Sequence, residues 1–282
     1  MSIEGARSRY VMAGHTRTHW TETGTNGIPI VLVHGGGTGI SGGDYFESIL
    51  GPLGERYWTI ALDSVGGYGD TDPRVSANEG LQSRVDHLAD FIAARSLDEV
   101  YLAGNSQGAW VAAKYTRDHP DQVRKLFLMA SGTIAGAMGI EEAGTGREPL
   151  DGTAEAMRRR LSGLIYDQTR ITDAMVHRAL DLAAQPGVAE AQATLARGQK
   201  KLRTDPRFRL KYEMKDWLPR LPTPSMMAWG ENDASALPTW GHTLEKLLPN
   251  IRFRWVPRAG HRMWVDQPQM VTELMFELFR EA

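Results

Sequence analysis

Gly104-Asn105-Ser106-Gln107-Gly108 constrains the fold of this chain more than any other stretch. It follows a short apolar run, Glu99 to Ala103, and precedes a stretch of helical character, Ala109 to His119. Gly-x-Ser-x-Gly between a strand and a helix is a nucleophile elbow, a tight turn that lifts the middle serine into strained, exposed backbone geometry. Small residues two positions to either side are a steric requirement, because larger side chains there would strike neighbouring backbone. Taken alone the pentapeptide fits an ordinary strand-to-helix corner equally well, since such turns favour glycine.

The flanking sequence places that turn in an alternating fold. Arg9 to Thr23 alternates loosely and reads as an opening pair of strands. Ile28 to Val33 is a continuous apolar run, mostly β-branched, that leads into His34-Gly35-Gly36-Gly37, which predicts a strand buried on both faces with a glycine loop at its carboxyl end. Asp44 to Leu53 predicts a helix, Trp58 to Leu62 a strand ending at Asp63, and Leu81 to Ser96 a helix with apolar residues at Leu81, Val85, Leu88, Phe91 and Ile92. Val123 to Met129 is the next strand. This order implies a mostly parallel sheet with right-handed crossovers, flanked by helices.

From about Ile134 to Met214 strand signals stop and helical periodicity takes over, with Gly136, Gly139, Gly144, Gly146 and Pro149 making the opening loop-like. Strands return at Pro224 to Trp229 and Ile251 to Val256, and Gln269 to Phe279 closes the chain as a helix. The expected organisation is therefore a core in two parts, residues 1–133 and 215–282, with a helical cap, 134–214, inserted after the sixth strand.

Three suitable residue types recur at strand ends in one order. A serine hydroxyl becomes nucleophilic when a base takes its proton and a third group orients that base. Asp233 stands just past the strand ending at Trp229, 127 residues after Ser106, and His261 follows the last strand 28 residues later. Asp233 also suits a plain turn, and Glu231 is a rival carboxylate two positions upstream. The other strand end that could supply an acid offers only Ala130, Ser131, Gly132 and Thr133. A glycine loop can aim backbone N–H groups at a developing oxyanion, with a second donor from the residue after the nucleophile. Gly36, with Gly37 beside it, and Gln107 hold those positions; His34 reads as structural.

Composition removes other classes. The chain carries 32 Lys plus Arg against 34 Asp plus Glu, so no charge excess points to nucleic acid or an acidic membrane. Without cysteine there are no disulfides, thiolate zinc sites or cysteine nucleophiles. Met1 to Tyr10 lacks the apolar core of a signal peptide and no run is long enough to span a bilayer, so a cytoplasmic protein is expected. His15 and His19 have the spacing of a metal pair, but on a strand they merely share a face, and no metal is expected. Arg158-Arg159-Arg160 reads as a solvated helix face.

The elbow Gly104-Asn105-Ser106, the loop His34-Gly35-Gly36-Gly37 and the cap stretch Leu164-Ile165-Tyr166-Asp167-Gln168-Thr169-Arg170-Ile171-Thr172 together resemble the meta-cleavage product hydrolases. The resemblance runs from about Tyr10 to Phe279. It implies the α/β-hydrolase fold, a Ser106–Asp233–His261 triad and no cofactor. The small-molecule substrate it implies is a 2-hydroxy-6-oxohexa-2,4-dienoate, cut at a carbon–carbon bond. It also implies a cap arginine gripping the substrate carboxylate, for which Arg178 is the candidate. Gly37, Asn105, Thr169 and Trp264 are the further substrate contacts, and a homo-oligomer is an expectation resting on the resemblance alone.

The chain departs from the family pattern around the pocket. Gln107 and Ala109 stand where the family usually has methionine and glycine, Arg178 is one residue nearer to Thr172, and Arg262 replaces the tryptophan that commonly follows the histidine. An ester or lactone hydrolase using the same triad is the alternative enzyme, and a ligand-sensing receptor on this scaffold the alternative outside catalysis. Dehalogenase and epoxide hydrolase chemistry would need a carboxylate where Ser106 stands.

Overall fold

Strands β1 (Arg7–Ala13) and β2 (Thr16–Thr23) form an antiparallel hairpin turned at Gly14, whose φ of +55° is easy only for glycine. The structure is a computed structural model that describes residues 4–76, 79–140 and 150–280. Strand β3 (Ile30–Val33) is buried at every residue, as its β-branched run requires. It begins at Ile30 rather than Ile28 because Pro29 has no N–H to give a ladder. Helices α1 (Gly42–Tyr45) and α2 (Glu47–Gly54) replace the single helix expected there. The break falls at Phe46, which is fully buried and packs its ring on Tyr45 and Trp264.

Strand β4 (Thr59–Leu62), helix α3 (Gln82–Ala94), strand β5 (Val100–Asn105), helix α4 (Gln107–Asp118) and strand β6 (Val123–Met129) continue the alternation. After the short α5 (Gly132–Ala137) come four helices with no strand between them among the described residues: α6 (Ala154–Ser162), α7 (Asp173–Ala183), α8 (Val188–Thr204) and α9 (Pro206–Tyr212). Gly136 falls inside α5 and Gly139 follows it with φ +81°; Gly144, Gly146 and Pro149 lie outside the described residues. Strand β7 (Ser225–Gly230), helix α10 (Pro238–Leu247), strand β8 (Ile251–Val256) and helices α11 (Met263–Asp266) and α12 (Pro268–Arg280) complete the chain.

The eight strands form one sheet in the order β1-β2-β4-β3-β5-β6-β7-β8, with β1–β2 and β2–β4 antiparallel and every later pairing parallel. This is the α/β-hydrolase fold expected from the sequence. Parallel strands send all their carboxyl ends to one edge, so the loops after β3, β5, β7 and β8 converge there. Helices cover both faces, and Trp110 of α4 is fully buried in the main core. The helical stretch has a small core of its own, in which Met157, Leu161, Ile165, Ile171 and Val176 pack with the partly buried Val265 of α11.

Candidate active site

The turn between β5 and α4 holds Ser106 at φ 55° and ψ −119°, a conformation that costs a non-glycine residue on the order of 1–3 kcal/mol unless its surroundings impose it. They do. The Ser106 N–H donates to the Met129 and Ala130 carbonyls at 3.0 and 3.2 Å, and the Ser131 hydroxyl donates to the Ser106 carbonyl at 2.6 Å. The flanking glycines are steric necessities: a Cβ on Gly104 would lie 2.3 Å from the Gly108 oxygen, and one on Gly108 2.2 Å from the Val33 oxygen.

Loops after β7 and β8 bring Asp233 and His261 together. The His261 Nδ1–H donates to Asp233 Oδ2 at 2.7 Å, and both residues are buried. Asp233 Oδ1 accepts from the Ser235 and Ala236 N–H groups at 2.7 and 2.8 Å, which fixes the carboxylate plane. With Nδ1 committed, Nε2 is the ring nitrogen left for proton transfer. Glu231, the rival carboxylate, is exposed.

The glycine loop lies against the elbow. A Cβ on Gly35 would come 3.3 Å from Ser106 Cβ, and one on Gly36 2.3 Å from the Gln107 side-chain amide. Gln107 opens α4, so its N–H has no acceptor within the helix. His34 is fully buried, donates from Nδ1 to the Gly35 carbonyl at 2.7 Å and accepts the Ser64 N–H at Nε2 at 3.1 Å. Burial, with the Arg84 and Arg262 charges adding to it, holds this imidazole well below its usual range, which suits a neutral structural role.

Arg84 was not anticipated. Its guanidinium donates to the His34 carbonyl at 2.7 Å, to Ser64 Oγ at 3.1 Å and to Gln107 Oε1 at 3.4 Å, so a buried positive charge stands behind both halves of the loop-and-elbow pocket. The signal was present, because Arg84 continues the apolar stripe of Leu81, Leu88 and Phe91 on α3. Tyr45, also unanticipated, donates its hydroxyl to Asn105 Oδ1 at 2.6 Å, while Asn105 Nδ2 donates to the Met129 carbonyl at 3.1 Å.

A cavity of about 380 Å3 opens between these loops and α6, with Gly36, Gly37, Tyr45, His261 and Arg262 on the core side and Met157, Arg159, Arg160 and Leu161 on the other. Arg159 and Arg160 thus border a cavity rather than forming only a solvated face. The remaining expected contacts are placed elsewhere. Trp264 is fully buried, donating from Nε1 to the Tyr45 carbonyl at 2.6 Å. Thr169 is exposed, and its hydroxyl donates to Asp167 Oδ1 at 2.6 Å. Arg178 lines a smaller adjoining pocket, where it forms ion pairs with Asp44 at 3.0 Å and Glu47 at 2.9 Å.

One acidic side chain ties the helical stretch to the histidine loop. Asp266 Oδ2 accepts the Tyr166 and Gly260 N–H groups at 3.0 and 2.9 Å, Oδ1 accepts the Asp167 N–H at 2.8 Å, and the Arg262 N–H donates to the Leu164 carbonyl at 2.8 Å. Nothing local in Met263-Trp264-Val265-Asp266 announces that role.

A second serine–histidine–aspartate chain shows that composition alone does not make such a site. Ser8 Oγ lies 2.7 Å from His19 Nε2, and His19 Nδ1 lies 2.6 Å from Asp63 Oδ2. Ser8, however, sits in regular strand β1, whereas Ser106 occupies a strained turn beside a glycine loop. Asp63 also accepts the Gly42 and Asp70 N–H groups, so this chain laces the hairpin to the loop after β4. Burial pushes its carboxyl upward. Among the described residues no group of three His, Cys, Asp or Glu is arranged to hold a metal ion, and no helix is long and apolar enough to cross a membrane.

Comparison with known proteins agrees with this architecture. A sequence model described as the alpha/beta hydrolase family matches residues 30–274. A 2-hydroxy-6-oxo-6-(2'-aminophenyl)hexa-2,4-dienoic acid hydrolase from Metapseudomonas resinovorans is 28% identical over 93% of this chain and 87% of its own length. A 2-hydroxy-6-oxo-2,4-heptadienoate hydrolase from Pseudomonas putida is 30% identical over 69% of each chain. Among solved structures, a 2-hydroxy-6-oxo-6-phenylhexa-2,4-dienoate hydrolase from a Rhodococcus strain superposes with a TM-score of 0.83 at 19% identity, covering 98% of this chain and 99% of the other, which shows the shared fold.

Proposed function

The chain belongs to the alpha/beta hydrolase family, among its meta-cleavage product hydrolases, and from that membership we propose that it hydrolyses a carbon–carbon bond in a 2-hydroxy-6-oxohexa-2,4-dienoate. The observation that carries the reading is the buried 2.7 Å contact between His261 and Asp233, beside a cavity walled by helix α6. Relatives whose names specify dienoates support this substrate class.

Carbon is a poor leaving group, so the bond breaks only after the dienol ketonises. A proton moves from the 2-hydroxyl to C5, giving a 2-oxo-3-enoate that can accept the electron pair of the departing carbon. His261 is the group that shuttles this proton, with Asp233 orienting the ring and stabilising its charged form. Ser106 Oγ then forms a bond to C6 as its proton passes to His261 Nε2. The Gly36 and Gln107 N–H groups hold the resulting oxyanion. When the C5–C6 bond breaks, its electron pair runs through the enone to the 2-oxygen, which takes the proton held on His261 and leaves as 2-hydroxypenta-2,4-dienoate. Water then attacks the acyl serine as His261 takes its proton, and the carboxylic acid departs as that proton returns to Ser106 Oγ.

Ester or lactone hydrolysis needs the same groups and no ketonisation. The two activities separate by eye, because dienolates absorb visible light and lose that colour on hydrolysis. Purified protein is expected to bleach at least one aryl- or alkyl-substituted dienoate. Rapid cleavage of p-nitrophenyl esters with no bleaching of any dienoate in a panel of C6 substituents would overturn the carbon–carbon reading.

A further inference from the structure

Arg84 is a buried cation with no buried anion beside it. It stands on α3 at 1% exposure, and its guanidinium donates to three neutral groups, the His34 carbonyl, the Ser64 hydroxyl and the Gln107 side-chain oxygen. Its guanidinium carbon lies 5.0 Å from the centre of the Tyr68 ring, and its Nε is buried without a hydrogen-bond partner among the described residues. No carboxylate pairs with it among those residues. Burial lowers its pKa and only Tyr68 and Tyr45 oppose that, but an arginine stays charged at any working pH.

Neighbouring groups feel this charge. Burial first and the Arg84 guanidinium second hold the His34 and His87 imidazoles below their usual range. An arginine closed into an ion pair would present little net field to them.

A buried charge left unpaired is costly, so its location matters. Arg84 reaches both segments that carry the proposed oxyanion donors: His34 leads into Gly36 two positions on, and Gln107 supplies the other N–H. A Cβ on Gly36 would lie 2.3 Å from the Gln107 side-chain amide, so the two segments are in close contact where Arg84 holds them. Attack by Ser106 would create its negative charge at the donors of these same segments.

We propose that Arg84 is the positioning residue of the oxyanion site: it holds the glycine loop against the elbow, and its uncompensated charge finds a counter-ion only in the tetrahedral adduct. This rests on attack by Ser106 with Gly36 and Gln107 as donors, but not on which bond of the substrate is cut. Arg84 does not line the cavity, so it acts through the backbone it holds and through its field. Interactions that strengthen in the transition state raise kcat and leave KM alone.

The test compares a phenylethyl trifluoromethyl ketone with the matching alcohol, their dissociation constants read by fluorine NMR. The ketone carbon accepts a bond from Ser106 Oγ, the serine proton passes to His261 Nε2, and the carbonyl oxygen takes the displaced electron pair and becomes an oxyanion. The alcohol has a similar shape and cannot form that bond. In Arg84→Gln the ketone should bind about tenfold or more weaker and the alcohol less than about threefold weaker. Turnover of a dienoate or of p-nitrophenyl butyrate should lose kcat with KM little changed. Arg84→Lys keeps the charge and should recover part of both losses. Equal weakening of ketone and alcohol, or unchanged ketone binding, overturns the proposal, since a merely structural arginine would act on both ligands alike. If Arg84→Gln fails to fold, the wild-type adduct decides: a hemiketal still protonated at pH 7, read from its fluorine shift in a pH titration, overturns it too. A wild type that binds the ketone no tighter than the alcohol would refute attack by Ser106 and this proposal with it. Bleaching of dienoates by the wild type reports separately on the carbon–carbon reading.

Discussion

His261 and Asp233 meet through a buried 2.7 Å hydrogen bond in which only one carboxylate oxygen takes part; the other is held by the Ser235 and Ala236 N–H groups. The acid is thus locked on one side to present its free edge on the other. Asp233→Asn would present an amide whose N–H favours the wrong histidine tautomer. Its kcat is expected to fall by roughly 10³–10⁴. Glu231→Gln, at an exposed position, should stay within about twofold of wild type. Comparable losses in both variants would remove the distinction between the two carboxylates.

Ser106→Ala should abolish turnover while retaining substrate. The strained turn is imposed by bonds to Met129, Ala130 and Ser131, none of which uses the hydroxyl, so the pocket survives the substitution. A persistent visible spectrum of bound dienolate, with kcat lowered by at least about 10³, is the expected pair of results. Unaltered turnover would exclude Ser106 as nucleophile.

Two glycine-to-alanine variants separate folding from catalysis. At Gly108 the new methyl would meet the Val33 and His34 carbonyl oxygens at 2.2 and 2.4 Å, and backbone there has nowhere to go. A loss of about 3 kcal/mol or failure to fold is expected in denaturant titrations. At Gly36 the three atoms nearest the methyl all belong to the end of the Gln107 side chain, which can move aside by giving up its bonds to Gln199 and Arg84. Gly36→Ala should melt within a few degrees of wild type yet lose tenfold or more in kcat, because the loop N–H shifts. Equal effects on melting in the two variants would contradict this.

Acid should unfold the protein through its buried histidines. His87 bonds to Thr18 Oγ1 and accepts the Val65 N–H, and burial, aided by the Arg84 charge, lowers its pKa from 6.5 to about 4. The folded value lies below the unfolded one, so the unfolded chain takes up a proton first as pH falls. Stability is complete above pH 6.5 and drains between 6.5 and about 4, by on the order of 3 kcal/mol for this residue. His34 acts in the same direction. Melting temperatures at pH 7.5 and 5.0 should fall farther apart in the wild type than in His87→Gln; equal differences would refute the linkage.

The parts of this site that were legible in sequence are those whose signal is local. Ser106 is announced by its flanking glycines, and Asp233 and His261 by the strands that precede them. Helix α10 was legible too, through Pro238 at its first position and the spacing of Trp240 and Leu244, although it was not among the expected elements. Thr169 illustrates a local signal that points the other way, since Asp167-x-Thr169 is itself a turn that occupies the hydroxyl. What sequence could not reveal depends on distant partners. Arg178 meets Glu47 across 131 positions, Tyr45 meets Asn105 across 60, and Ser48 donates to the Trp264 carbonyl across 216. Such pairings exist only once the sheet has brought its strand ends together.

Asp266 gives the site a mechanical property. By holding Tyr166 and Asp167 with one hand and Gly260 with the other, its carboxylate welds the roof of the cavity to the loop that carries the base. Roof and base therefore move as one piece at this corner, and a displacement of either is transmitted to the other without slack. The imidazole keeps its bearing to the roof whatever occupies the space beneath, much as a door keeps its alignment at the hinge and moves freely only at the far side.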